Sequence, residues 1–147
     1  MFALADCLRQ TSNIVAAAKY FQVLVNEISP ANNPYGRSRE EIDTNTKLLE
    51  QARFYLAYSL SRVGDDESRK QAVAKLKEFL ELYPQSGLAA KALNLQGSLQ
   101  MALKDPAAND TFARLARDYP NTDEGKNAQY ARISGALELG QIEQAHE

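Results

Sequence analysis

The segment Glu81 to Ala92, ELYPQSGLAAKA, recurs 36 residues later as RDYPNTDEGKNA, with Tyr119-Pro120 falling on Tyr83-Pro84 and Ala128 on Ala92. Self-similarity at a fixed period constrains a fold more than any single residue, because each copy must fold alike and bury its apolar face on a neighbour. Before each Tyr-Pro runs a stripe spaced i, i+4, i+7, i+11: Ala72, Leu76, Phe79, Tyr83 and then Ala108, Phe112, Leu115, Tyr119. That spacing puts the four residues on one face of an α-helix. The small first residue lets a neighbouring backbone approach, the larger ones fill the space between layers, and Pro84 or Pro120 stops the helix. Ser86 and Thr122 follow as candidate caps for the next helix.

A third copy, Ala17, Phe21, Leu24, Ile28, ends at Ser29-Pro30, and each copy is paired with a helix carrying its own small position: Ala52, Ala92 or Ala128. The unit is helix, turn, helix, and a period of 36 suits the roughly 34 to 47 residues of helical-pair repeats. The spacing therefore predicts an all-α fold of about seven or eight helices, with Leu76, Phe79, Phe112 and Leu115 buried between layers. A single helical-repeat domain is expected over 1–147, with approximate units 1–30, 39–84, 86–120 and 121–147. Both ends read as cut through a repeat, so a segment of a longer protein is expected, with self-association through the repeat ends as a further expectation.

Between the first two units, SPANNPYGRSREEIDTN, residues 29–45, breaks the pattern with polar and turn-forming residues and reads as an inserted loop. Loops of this length in compact domains are usually functional or disordered. Tyr35, Arg37 and Arg39 make it an alternative partner-binding loop, while its mixed charges also suit the solvated start of a helix.

Composition narrows the partners. At 44% hydrophobic and 24% charged, the 147 residues suffice for a core, and a net charge of −2 lacks the basic footprint that nucleic acid or anionic lipid needs. No apolar run approaches the roughly 20 residues of a membrane span. The single cysteine, Cys7, has no second thiol for a disulfide or a metal site and reads as a buried helix residue.

Catalytic constellations are scarce. His146 is the only histidine, which excludes a two-His metal site or a His-based triad within this chain, and no glycine-rich phosphate loop occurs. GDDESRK, residues 64–70, lacks the alternating ligands and central glycine of a calcium loop. It reads instead as Gly64 ending one helix, with acidic residues favouring the start of the next. No metal, cofactor or enzymatic activity is expected.

The alanine, large apolar and proline positions of the three copies, with Leu4-Ala5 and Gly97, resemble the tetratricopeptide repeat family over nearly the whole chain outside residues 29–45. The resemblance implies a right-handed α-solenoid of antiparallel helix pairs. The pattern F-x-x-L-x-x-x-Y-P-x-[ST], seen from Phe112 to Thr122 and nearly from Leu76 to Ser86, is similar to the subgroup common in bacterial cell-envelope proteins of the Tol-Pal coordinator or outer-membrane assembly lipoprotein type. Periplasm or cell envelope is the compartment this resemblance favours.

In such stacks the first helix of each pair lines the concave surface. Positions three before and one after the Gly97 equivalent then point into it: Phe54 and Tyr58, Asn94 and Ser98, Tyr130 and Ser134. Lys91, Asn94 and Asn127 match members of the family's lysine and asparagine clamp, but the other groove positions do not, so the clamp is not carried over. Rings beside amides and hydroxyls suit an extended peptide or partner helix. The leading expectation is a non-catalytic scaffold that holds a protein segment in this groove. The alternatives are a structural spacer or oligomerisation segment and an accessory repeat domain of a larger enzyme.

Overall fold

The computed structural model describes residues 2–10, 13–28 and 39–138, with side chains described over 2–10, 13–27 and 46–131. Among these residues the chain is all helical: α1 (Phe2–Gln10), α2 (Ile14–Ile28), α3 (Arg39–Val63), α4 (Asp66–Leu82), α5 (Ala89–Ala102), α6 (Ala107–Asp118) and α7 (Asp123–Glu138). It divides into two compact units, Met1–Lys75 and Leu76–Glu147, the division falling inside α4.

In the first unit α2 packs against both α1 and α3. The earliest copy of the repeated stripe supplies the core: Ala17, Phe21 and Leu24 are buried, together with Ala5 from α1 and Leu49, Ala52 and Leu56 from α3. The ring of Phe21 stacks on Tyr55 at 5.8 Å and meets Phe2 edge-on at 5.6 Å. Burying such a ring stabilises by roughly 1.5–3 kcal/mol, and the offset and edge-on geometries add to it. At the entry to α2 the Asn13 N–H donates to the Leu8 carbonyl and the Ala17 N–H to the Asn13 carbonyl, both at 2.9 Å.

Two expectations are corrected in this unit. Cys7 is exposed, not buried. It follows buried Ala5 by two positions, roughly 200° around the helix, and so lies on the opposite face. The segment 29–45 is also not all loop, since α3 already begins at Arg39. From there the sequence holds neither proline nor glycine until Gly64, and its early Glu40, Glu41 and Asp43 suit a helix N-terminus. Residues 29–38 lie outside the described residues.

The turn after α3 follows from two residues. Gly64 adopts φ 100°, the left-handed conformation that ends a helix. Asp65 then caps α4, accepting 2.8 Å hydrogen bonds from the Ser68 backbone N–H and from the Ser68 hydroxyl.

In the second unit α5, α6 and α7 pack on one another. Leu76, Phe79, Phe112 and Leu115 are all fully buried, as the stripe spacing predicts. Gly97 on α5 lies flat against Phe112 of α6, where an added Cβ would sit 2.8 Å from the ring. The absent side chain is what admits the phenyl group. Beside it a buried polar ladder joins the helices: the Thr111 hydroxyl meets Gln100 Oε1 at 2.6 Å, and Gln96 Nε2 reaches Thr111 Oγ1 at 3.4 Å.

The repeated Tyr-Pro phrases meet in space, the Tyr119 hydroxyl donating to the Pro84 carbonyl at 3.4 Å. After the second phrase Thr122 caps α7, its Oγ1 accepting from the Gly125 N–H at 3.0 Å. Ser86 behaves differently from its counterpart. Its Oγ accepts from the Leu88 N–H at 3.0 Å, forming a tight turn, and α5 starts only at Ala89 with no side-chain cap.

Candidate partner-binding surface

In the first unit the exposed side of the first helices carries a cation set among aromatic rings. The Arg9 guanidinium of α1 lies over the Tyr55 ring at 4.9 Å and near the Tyr58 ring at 5.8 Å, both on α3. Asp6, one turn earlier on α1, fixes its orientation by accepting from Arg9 Nε at 2.9 Å and Nη2 at 2.6 Å. Gln10 completes the cluster, its Nε2 donating to Asp6 Oδ2 at 2.8 Å. A guanidinium held against an aromatic face and neutralised by a neighbouring carboxylate is a preformed, amphipathic surface.

Of the two first-unit positions expected in the groove, Tyr58 is half-buried and joins this cluster. Phe54 is only 6% exposed and packs edge-on against Tyr55 at 5.5 Å, which makes it part of the core and removes it from partner contact. Arg9, Asp6 and Tyr55 were missed by the spacing argument. The period relates residues on equivalent helices, whereas this cluster joins α1 to α3 across more than forty positions of sequence. The only local signal was the Asp6 to Arg9 spacing, an i, i+3 ion pair on one helix face.

In the second unit the corresponding face is built by α5 and α7, which pack on each other. On α5, Lys91 and Ser98 are exposed and Asn94 half-buried, the Ser98 hydroxyl donating to the Asn94 carbonyl at 2.9 Å. On α7, Asn127 is exposed and Tyr130 is 76% exposed. Ser134 lies on α7 with its side chain outside the described residues, as does that of Arg39, while Tyr35 and Arg37 lie outside them altogether.

The carboxylates with shifted acidity are tied into local hydrogen bonds. Hydrogen bonds from the Ser68 backbone and hydroxyl hold the Asp65 pKa below the ordinary aspartate value. A hydrogen bond from Arg117, with further help from Arg114, lowers that of Asp118. Both move away from the raised value that a general acid requires. Among the described residues no group of His, Cys, Asp and Glu is placed to hold a metal ion, and no helix is long and apolar enough to cross a membrane.

Residues 51–86 and 91–122 match the tetratricopeptide repeat family. Over these two segments the chain is similar to tetratricopeptide repeats. The two matched segments end at Ser86 and Thr122, the equivalent positions that close the repeated phrases. The first takes in the latter part of α3 with α4, the second α5 with α6. No curated protein matches the chain. With its described residues all helical, the chain has the all-α, α-solenoid class of fold. Tetratricopeptide repeats generally mediate protein–protein interaction and are typically non-catalytic, so protein partners are implied.

Proposed function

We propose that the first-helix faces of the repeats hold an extended segment of a partner protein and that the chain acts as a non-catalytic scaffold. The observation that carries the reading is Tyr130. Its ring is 76% exposed, whereas Phe79 and Phe112 on the repeated stripes are buried. A large ring left in water on the face opposite the core, flanked by Asn127 one turn earlier, is the composition of an interface anchor. Lys91, Asn94 and Ser98 supply hydrogen-bonding groups on the neighbouring first helix, and Tyr58 with Arg9 offers a comparable patch in the first unit. The cell-envelope style of the repeats supports a partner in that compartment, which fractionation of the native cell tests directly.

Capture of partners from the native lysate, followed by calorimetry of the purified partner with wild type, Tyr58→Ala and Tyr130→Ala, checks the reading. Truncating a buried interface aromatic costs at least about 2 kcal/mol, about thirtyfold in affinity. Tyr130→Ala is expected to melt within about 0.5 kcal/mol of wild type, as exposed substitutions do. Normal binding by both variants removes the first-helix faces from consideration and leaves Tyr35, Arg37 and Arg39 as the candidate contact.

A further inference from the structure

Away from the first-helix faces, the first unit carries an open cavity of about 380 Å³ between α2 and α4, over α3. Ala18 from α2, Leu56 and Leu60 from α3, and Ala74 from α4 give it an apolar lining. Ligand cavities run from about 300 to 1,000 Å³, so this one has the size of a small-molecule site. A cavity of about 150 Å³ holds the six carbons of benzene, and the same ratio puts about fifteen non-hydrogen atoms in this one. An α-helix with its side chains is about 10–12 Å across, so two turns of it displace roughly 1,000 Å³. The cavity takes one short hydrocarbon chain whole, whereas a helix inserts only a side chain or two.

The rim decides the polar end of the occupant. Gln22 and Gln71 turn their amides along their own helices, Gln22 Nε2 donating to Asn26 Oδ1 at 3.1 Å and Gln71 Nε2 to Glu67 Oε1 at 3.3 Å. Lys75 has an interaction of its own, as does Glu78 one turn further along α4, so it is not a free charge. Lys19 is different. It is exposed, and the nearest acid on α2, Glu27, lies more than two turns away. Among the described residues no carboxylate pairs with it. The apolar lining therefore meets water at one unengaged ammonium group.

We propose that this cavity binds a single-chain anionic amphiphile, a free fatty acid of about twelve carbons, separately from any partner on the first-helix faces. Its tail lies along Ala18, Leu56, Leu60 and Ala74, and its carboxylate meets Lys19. Burial of the tail supplies most of the affinity, while the water-screened ammonium selects the sign of the head group. A two-chain lipid exceeds the volume, and one lysine falls short of the basic clusters that hold an anionic membrane surface.

The test is calorimetry of the full chain with laurate below its micelle concentration, with octanoate and dodecyltrimethylammonium as comparison probes. Saturable binding of laurate at one site is expected, with octanoate about tenfold weaker or more because it leaves part of the cavity empty. The cationic probe is expected to bind about threefold weaker or more. Ala74→Trp and Gln71→Trp, which fill the cavity from exposed positions, are each expected to lower laurate affinity about tenfold with circular dichroism unchanged. Lys19→Glu is expected to reverse the order of laurate and the cationic probe. Tyr130→Ala is expected to leave laurate binding unaltered, which separates this site from the one proposed above. Absence of saturable laurate binding overturns the proposal and leaves the cavity to a side chain of a protein partner or to no ligand. Indifference to both tryptophan variants places laurate elsewhere, and an unchanged order in Lys19→Glu removes the carboxylate from the rim; either result overturns the proposal as well.

Discussion

At the scale of single residues, the turn within the second repeated phrase hinges on an atom that is missing. Gly125 sits in the first turn of α7 so close to the preceding chain that a Cβ would lie 1.8 Å from the Tyr119 carbonyl oxygen. The obstacle is backbone, already tied down by the Thr122 hydroxyl at 2.9 Å, and cannot swing aside as a side-chain tip would. Gly87, at the matching turn of the previous copy, has nothing within 4 Å of such a Cβ. Gly125→Ala is therefore expected to destabilise at or beyond the upper end of the roughly 1–3 kcal/mol of overpacking, while Gly87→Ala stays within about 0.5 kcal/mol of wild type. Urea melts of the two variants side by side measure the difference, and equal midpoints contradict the tight turn.

At the scale of elements, two helix pairs solve the same reversal with different residues. Between α3 and α4 the left-handed position is Gly64, with φ 100°. Between α5 and α6 it is Lys104, with φ 56°. There the Lys104 N–H reaches back to Met101 and the Asp105 N–H to the Gln100 carbonyl at 2.8 Å, which satisfies the last carbonyls of α5. A lysine in that conformation carries the Cβ-to-carbonyl crowding that glycine avoids, at a cost of about 1 kcal/mol. Lys104→Gly is accordingly expected to raise stability by roughly 0.5–1 kcal/mol despite the added freedom of the unfolded chain. A thermal midpoint below that of wild type places the larger effect in the unfolded state.

At the scale of the whole molecule, each compact unit has its own buried aromatic centre. Phe21 is surrounded by residues of α1, α2 and α3, and Phe112 lies against Gly97 of α5. The Phe21 cluster belongs to one unit and the Phe112–Gly97 contact to the other, so substitutions at the two sites are expected to act independently. Phe21→Leu and Phe112→Leu should each cost about 1–2 kcal/mol, within the ordinary range for core changes, and the double variant should lose their sum to within about 0.5 kcal/mol. Denaturant titrations of the four proteins complete the cycle. A coupling above about 1 kcal/mol means the two centres respond as one core. The repeat architecture, in which stability is distributed over units and their interfaces, is the physical setting for this arithmetic.

The sequence by itself determined the periodic part of this protein. The stripes of Ala72, Leu76, Phe79 and Ala108, Phe112, Leu115, the small partners Ala92 and Ala128, and the cap at Thr122 all follow from helical spacing and local backbone chemistry, and all are where the spacing puts them. Such features are legible because each depends on residues within a few turns of itself. What required tertiary structure depends on distance across the fold. Phe54 matches a groove position by its register against Gly97, yet it is buried against its neighbours. Cys7 has an apolar character that suits a core, yet its helix turns it outward. Arg9 meets Tyr55 and Tyr58, and Lys19 shares a cavity rim with Lys75, because separate helices bring them within reach. Periodicity encodes which face of a helix is apolar; which residues from different helices share a surface is decided only when those faces pack.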